Sequence, residues 1–410
     1  MTGVEFPPAS RLAQALDKDR PPAEWIRSLR ARFPTEAAID RLLTRKMERR
    51  SGPGYTPVPL AALVAGVEAL LRAQLEGPFK LGEARWLSGG ASKLQMAFTL
   101  EWERPGAGRE KTPMVLRMEP ADSIVTTSRL REFQLLRAFE GVVPVPRVHW
   151  CDEQADYLPY PALVYEFSEG VTKPSSAAGG VSGTGIRFPA ELRARLAPQF
   201  IGHLAAIHGR DYRTADLSAF DVPAAGTQCA QWGVNWWDRV WEEDCDEDVP
   251  LMRLASAWLR RNLPRLEQPC IVHSDYRAGN FLFTEHDGRI TALLDWELGR
   301  IGDRHQDLAW TTNRAFGSMD EANRNFLVCG LLPESQFFEA YEQASGHRMN
   351  PKSLHWHKVY NNYWLAILLL ATSYRIARNG KTHQDVLVTW LISLGYMVMD
   401  DMRQQIERGC

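Results

Sequence analysis

The sequence predicts an α+β protein of two lobes, a small antiparallel sheet followed by a larger, mainly helical region. Three observations predict it. Strand-like alternation of apolar and polar residues is concentrated between residues 80 and 167. Helical periodicity dominates before and after that stretch, and within the second helical region only short apolar runs, residues 270–272 and 290–294, interrupt it. The boundaries that follow are a helical N-terminal extension over residues 1–76, a small sheet lobe over 77–168 and a mainly helical lobe over 169–410.

In the extension, Pro34-Thr35-Glu36 starts one helix and the periodic residues from Pro57 to Leu75 supply another, with a loop over residues 50–55 between them. Residues 93–102 alternate like a strand, Arg104 to Arg109 read as a turn, and Pro113 to Met118 form a second short strand. Leu130, Phe133, Leu136 and Phe139 fall at helical spacing, so a helix follows over residues 128–139. Residues 162–167 read as a further strand ending at Gly170, and the small, flexible run over residues 175–185 reads as an insertion near the junction of the lobes. No internal repeat is visible.

With 45% hydrophobic and 24% charged residues in a chain of 410, the composition is that of a globular protein with a large core. A formal charge of −2 offers no global basic field, so neither nucleic acid nor an anionic membrane is implied as a partner. The six cysteines lack metal-ligand spacing and read as reduced thiols. Residues 1–20 show no apolar signal region, and the longest apolar run, residues 364–372, is far below the ~20 residues that cross a bilayer, so a buried helix, a cytoplasmic location and no stable membrane insertion are expected. The oligomeric state is not legible.

The strongest chemical signal is His273-Ser-Asp-Tyr-Arg-Ala-Gly-Asn280, followed after a short hairpin by Asp295-Trp296. Phosphoryl transfer to an alcohol requires a carboxylate to orient the hydroxyl and take its proton, and oxygen ligands for Mg²⁺ on the nucleotide phosphates. Asp275 and Asn280 on one tight loop, with Asp295 returned beside them, supply that set. This pattern resembles the catalytic loop and metal motif of the aminoglycoside phosphotransferase and choline kinase group, distant relatives of protein kinases. The resemblance implies a protein-kinase-like two-lobed fold with ATP between the lobes, Asp275 as catalytic base, and Asn280 and Asp295 as Mg²⁺ ligands.

Upstream, Ser88, Gly89 and Gly90 lie between strands where backbone N–H groups could approach phosphate, although a Ser-Gly-Gly turn is also an ordinary hairpin. Where most kinase-like enzymes place a lysine on the third strand, this chain has Arg117, which could neutralise phosphate and fork onto Glu132 of the following helix; the plainer alternative is a surface ion pair. Glu166 and Phe167 occupy the strand joining the lobes, where backbone groups read the adenine edge.

Within this group, Met114 to Arg117, Arg131-Glu132-Phe133, residues 202–208 and the run from Asp295 to Asp303 with Asp307-Leu-Ala309 are similar to the branch associated with acyl-CoA dehydrogenases, over roughly residues 80–345. The likeness implies that Asp303 and Asp307 brace the catalytic loop. His203 and His208, on an apolar helix, read as packing residues rather than metal ligands. Trp232, Trp236, Trp237 and Trp241, with the acids from Glu242 to Asp248, either line an acceptor pocket or are core and solvated face.

The expected activity is therefore ATP- and Mg²⁺-dependent phosphorylation of a hydroxylated small molecule, an acyl or acyl-CoA compound being favoured. The alternatives are an aminoglycoside-modifying kinase and a catalytically impaired nucleotide-binding module, the latter suggested by the missing lysine. Asp-Trp-Glu in place of Asp-Phe-Gly counts against a protein kinase.

Overall fold

Period-two alternation builds the longest hairpin of the molecule. In a computed structural model that describes residues 16–87, 93–120, 122–177, 184–382 and 385–409, strand β2 (Leu94–Arg104) pairs with β3 (Gly108–Met118) from Leu94 opposite Met118 to Arg104 opposite Gly108. The turn between them has Gly106 and Gly108 at φ of +79° and +81°, where a side chain would be strained. β1 (Lys80–Trp86), β4 (Val148–Asp152) and β5 (Ala162–Glu166) complete an antiparallel sheet in the order β1-β2-β3-β5-β4.

The two faces of this sheet have different covers. Leu94, Met96, Phe98, Leu100 and Trp102, every second residue of β2, form one core with Leu63, Val67, Leu70 and Leu71 of helix α3 (Leu60–Gln74). Each such side chain contributes about 1.5–3 kcal/mol on burial, so α3 is integral to the sheet lobe. The other face, with Val115, Leu163 and Tyr165, packs on α4 (Arg129–Phe139) through Leu135, Leu136 and Phe139 and is continuous with the core of the helical lobe. Ser128 caps α4 by accepting from the Arg131 N–H. Ahead of α3 lie α1 (Ala23–Arg32) and α2 (Ala37–Glu48).

The helical lobe contains α5 (Ala190–Gly209), α6 (Gln228–Asp244), α7 (Pro250–Arg261), α8 (His305–Thr311), α9 (Glu334–Ser345), α10 (Pro351–Ile367), α11 (Ser373–Arg378), α12 (Asp385–Ile392) and α13 (Gly395–Arg408). The apolar run beginning at Trp364 is the end of α10 and a π-type turn over Leu368–Thr372, mostly buried. Among the described residues no helix is long and apolar enough to cross a membrane. β6 (Cys270–Val272) pairs with β9 (Arg300–Gly302), and β7 (Phe281–Thr284) forms a hairpin with β8 (Arg289–Leu293). A small sheet of β10 (Ser318–Met319), β11 (Phe326–Val328) and β12 (Leu332–Pro333) closes the inventory.

Candidate active site

The loop between β6 and β7 is shaped from beneath by Asp307 on α8. Its carboxylate accepts the His273 N–H at 2.7 Å and the Ser274 N–H at 2.6 Å, and faces His208 Nε2 at 3.1 Å. These bonds hold Ser274 at φ +66°, a left-handed conformation that a non-glycine residue adopts only when its surroundings enforce it. Burial would raise the Asp307 proton affinity, but the His208 contact and the loop amides hold its carboxyl below the usual range. Asp307 thus has the bracing position read from the sequence. Asp303 does not: it bonds the His305 N–H and Nδ1 at the start of α8, away from the loop.

Above this brace, Asp275 is held by three donors. Oδ1 accepts from Trp310 Nε1 at 2.6 Å and Arg277 Nε at 2.8 Å, and Oδ2 from Asn280 Nδ2 at 2.6 Å. Its side chain is only 16% exposed, and this desolvation pushes its carboxyl above the ordinary aspartate value despite Arg277. The Asn280 amino group also donates to the Asp275 carbonyl at 2.9 Å, which leaves the amide oxygen on the opposite side of the carboxamide.

Asp295 sits just beyond β8 at φ +60° and ψ +50°. Trp296 fixes it there, stacked on Phe139 at 4.6 Å and against His273 at 4.5 Å, while the Leu294 N–H donates to the Asn280 carbonyl at 2.8 Å. The backbone therefore ties Asp295 to the Asp275 loop.

The Asp295 carboxylate, 34% exposed, meets Arg117 Nη2 at 2.5 Å. Arg117 is itself buried, with Nε 3.2 Å from Glu132 Oε1 and Nη2 3.2 Å from Glu297 Oε2, so it is no surface ion pair. Nor does it fork onto Glu132: Nη2 donates to Asp295 and Glu297, and Glu132 is met by charge alone, at Nε. Glu297 also gathers Lys93 Nζ at 3.1 Å and Arg129 Nη2 at 3.2 Å, and these three cations hold its buried carboxyl far below the usual range. Glu132, also bonded by Arg129, is pushed upward because its desolvation outweighs both cations.

Several residues that contact the candidate site escaped sequence reading. Lys93 reads as the first residue of a strand, and only its place three residues after Gly90 hints at more. Arg277 lies inside the His273–Asn280 motif quoted for other residues, and Trp310 directly follows the Asp307-Leu-Ala309 run. Ser88, Gly89 and Gly90 lie outside the described residues. At Glu166 and Phe167 the N–H groups donate to the Arg147 and Pro113 carbonyls, both at 2.9 Å, and the Glu166 carboxylate is engaged by Arg104 and His149. Neither residue has an N–H free for a base edge.

The acidic run resolves into ion pairs. Buried Glu243 and Asp244 meet Arg239, Lys46 and Arg50, Glu242 meets Arg32, and Asp246 meets Arg375 and Arg378. Trp236 and Trp237 are core. They stack at 5.0 Å, Trp237 on Trp364 at 5.4 Å, and Trp364 on Trp310 at 4.4 Å, so the indoles lead from α6 to the partner of Asp275. A crevice of about 520 Å³ between α6 and α7, lined by Trp241 and Asp246 to Asp248, shares no residue with the Asp275 loop.

Residues 87–328 match the profile of the Phosphotransferase enzyme family. The chain is 30% identical over 199 residues to acyl-CoA dehydrogenase family member 11 of Rattus norvegicus, covering 48% of this chain and 24% of that protein. It is 28% identical over 254 residues to the Homo sapiens protein of that name, covering 55% and 31%. The chain thus spans less than a third of the length of these relatives. Among solved structures, a provisional aminoglycoside phosphotransferase from Ralstonia eutropha superposes with a TM-score of 0.61 at 20% identity, covering 84% of this chain and 98% of the other. An ethanolamine kinase of Plasmodium vivax gives 0.52 at 11% identity, covering 91% and 98%. These superpositions establish the two-lobed kinase-like fold.

Proposed function

Because this chain belongs to the phosphotransferase enzyme family, we propose that it moves the γ-phosphoryl group of ATP, with Mg²⁺, onto a hydroxyl group of a small molecule. The observation that carries the reading is the Asp275 carboxylate, oriented by Trp310 and Asn280 on the loop that is tied by its backbone to Asp295. In this reaction the acceptor oxygen bonds to the γ-phosphorus, the bond to the bridging β–γ oxygen breaks, ADP leaves, and the hydroxyl proton passes to Asp275. The raised proton affinity of Asp275 suits that step.

The donors available fit Mg²⁺: one carboxylate and one amide oxygen, both hard ligands, from Asp295 and Asn280. Among the described residues no three His, Cys, Asp or Glu side chains converge on a metal site, and Mg²⁺ commonly takes few protein ligands and completes its shell with phosphates and water. When bound, the ion offsets phosphate charge in the transition state. Arg117, beside Asp295, supplies permanent positive charge at the same edge of the cleft. Since the Glu166 and Phe167 N–H groups are spent, the adenine edge falls to carbonyls of that segment and to N–H groups from Ser168 onward.

For the acceptor we favour a hydroxylated, largely apolar acid, free or as its thioester. Two findings support this over a polycationic aminoglycoside: the likeness to acyl-CoA dehydrogenase family members, and the commitment of Glu243 and Asp244 to buried ion pairs. The test is ADP release with Mg²⁺-ATP across a panel of hydroxy acids, their thioesters and kanamycin, with product identified by mass spectrometry. Turnover of a hydroxy acid or thioester that Asp275→Asn abolishes, with binding of a non-hydrolysable ATP analogue retained, is expected. Preference for kanamycin would reject the acceptor class, and full activity of Asp275→Asn the mechanism.

A further inference from the structure

The N-terminal extension lies outside the family match, yet it reaches the residue next to Glu132. Glu36, buried at the start of α2, accepts from Arg131 Nη1 and from the Asp221 N–H at 3.1 Å. Arg131 is 2% exposed; its other contacts are weaker, at 3.3 Å to the Gly299 carbonyl, 3.4 Å to the Ala219 carbonyl and 4.0 Å over the Phe220 ring. Glu36 is therefore the carboxylate that neutralises a guanidinium buried between α4 and the segment following Asp295.

Arg131 and Glu132 are consecutive on α4 and point about 100° apart. One faces the extension and the helical lobe, the other faces Arg117 on β3. Any rotation or outward shift of α4 that separates Glu132 from Arg117 must also pull Arg131 from Glu36. Glu36 is itself anchored, because α2 and the residues before it are bolted to α6. Asp40 meets Arg239 at 2.7 Å, Lys46 meets Asp244 at 2.7 Å, and the Pro34 carbonyl accepts from Asn235 Nδ2 at 2.7 Å. Further along, α3 holds the outer face of the sheet.

We propose that the extension is a built-in brace for α4, and that Glu36 is a positioning residue which, through Arg131, keeps Glu132 against Arg117 in the nucleotide cleft. The inference rests on the phosphotransferase reading for the purpose of the Glu132–Arg117 pair. Its removal leaves a buried arginine without a counter-charge, and α4 is then free to settle elsewhere.

The test uses the full chain and a non-hydrolysable ATP analogue with Mg²⁺, titrated by calorimetry. Glu36→Gln is expected to weaken analogue binding about five- to tenfold, the scale of a typical coupling between sites, with Glu36→Asp partly restoring it. In a Glu132→Gln background the same change is expected to add little, because the device it positions is already gone. A general loss of stability would instead act equally in both backgrounds. Unaltered binding by folded Glu36→Gln, or a fully additive loss, overturns the inference while leaving the phosphotransferase reading intact. Absence of binding by the wild-type chain overturns that reading and the inference with it. Should Glu36→Gln fail to fold, Arg131→Lys, which keeps the charge but lacks the fork, carries the same cycle.

Discussion

Replacing Trp310 by phenylalanine removes one donor from Asp275 and little else. The ring remains between Trp364 at 4.4 Å and Phe316 at 4.7 Å, so the aromatic packing is largely kept. What is lost is the 2.6 Å bond from Nε1 to Oδ1. A hydrogen bond to an ionised acceptor contributes about 1.5–3 kcal/mol. That bond favours the carboxylate over the protonated form, so losing it raises a proton affinity that desolvation has already raised. At about 1.4 kcal/mol per pH unit, the acid limb of the rate profile moves up by about one to two units. On the alkaline side of that limb, Asp275 is still ionised but held on Oδ1 only by Arg277, and kcat is expected to fall roughly ten- to a hundredfold through lost orientation. The assay is kcat against pH for wild type and Trp310→Phe with the best acceptor of the panel, alongside thermal melts. Superimposable profiles would refute the view that Trp310 tunes and aims the base.

Asp295→Ala is expected to weaken Mg²⁺-dependent analogue binding more than Asn280→Ala, because a carboxylate brings a full charge to a hard cation; calorimetry with and without Mg²⁺ measures both. Arg117→Lys should retain much more turnover than Arg117→Ala, which leaves Glu132, Asp295 and Glu297 short of a shared cation; comparison of KM for ATP decides. Asp244→Asn should cost about 3–5 kcal/mol at neutral pH by stranding buried Arg50 and the largely covered Lys46. The Asp244 carboxyl is depressed chiefly by those two cations acting against burial, so its contribution is present above the ordinary aspartate range and is lost as pH falls through the depressed value. The gap between the two melting curves should therefore close on acidification, while the acceptor KM of the folded variant stays unchanged.

What could be read from sequence follows from how local each signal is. Residues 94–102 alternate because every second one faces α3, and so β2 was visible. The edge strand β1, Lys-Leu-Gly-Glu-Ala-Arg-Trp, is mostly exposed and carries no such pattern, and β4 buries only its two ends. Asp275, Asn280 and Asp295 are legible because one loop and one hairpin place them together. Lys93, Arg129 and Glu297 are not, since their meeting depends on the closure of two lobes. The acids at 243 and 244 resemble a solvated face until Lys46 and Arg50, nearly two hundred residues earlier, are folded against them. Which backbone groups of Glu166 and Phe167 remain for a ligand was hidden for a related reason: backbone pairing, which a single segment does not reveal, claims their N–H groups.

The indole column from Trp236 through Trp237 and Trp364 to Trp310 has an optical meaning. Closely stacked indoles share excitation, and an indole donating to a carboxylate changes its emission when that group takes up a proton. Light absorbed at α6 can therefore be emitted beside Asp275. With fourteen tryptophans in the chain, the part of the intrinsic fluorescence titration that disappears in Trp310→Phe should carry the ionisation of the candidate base, without label or substrate.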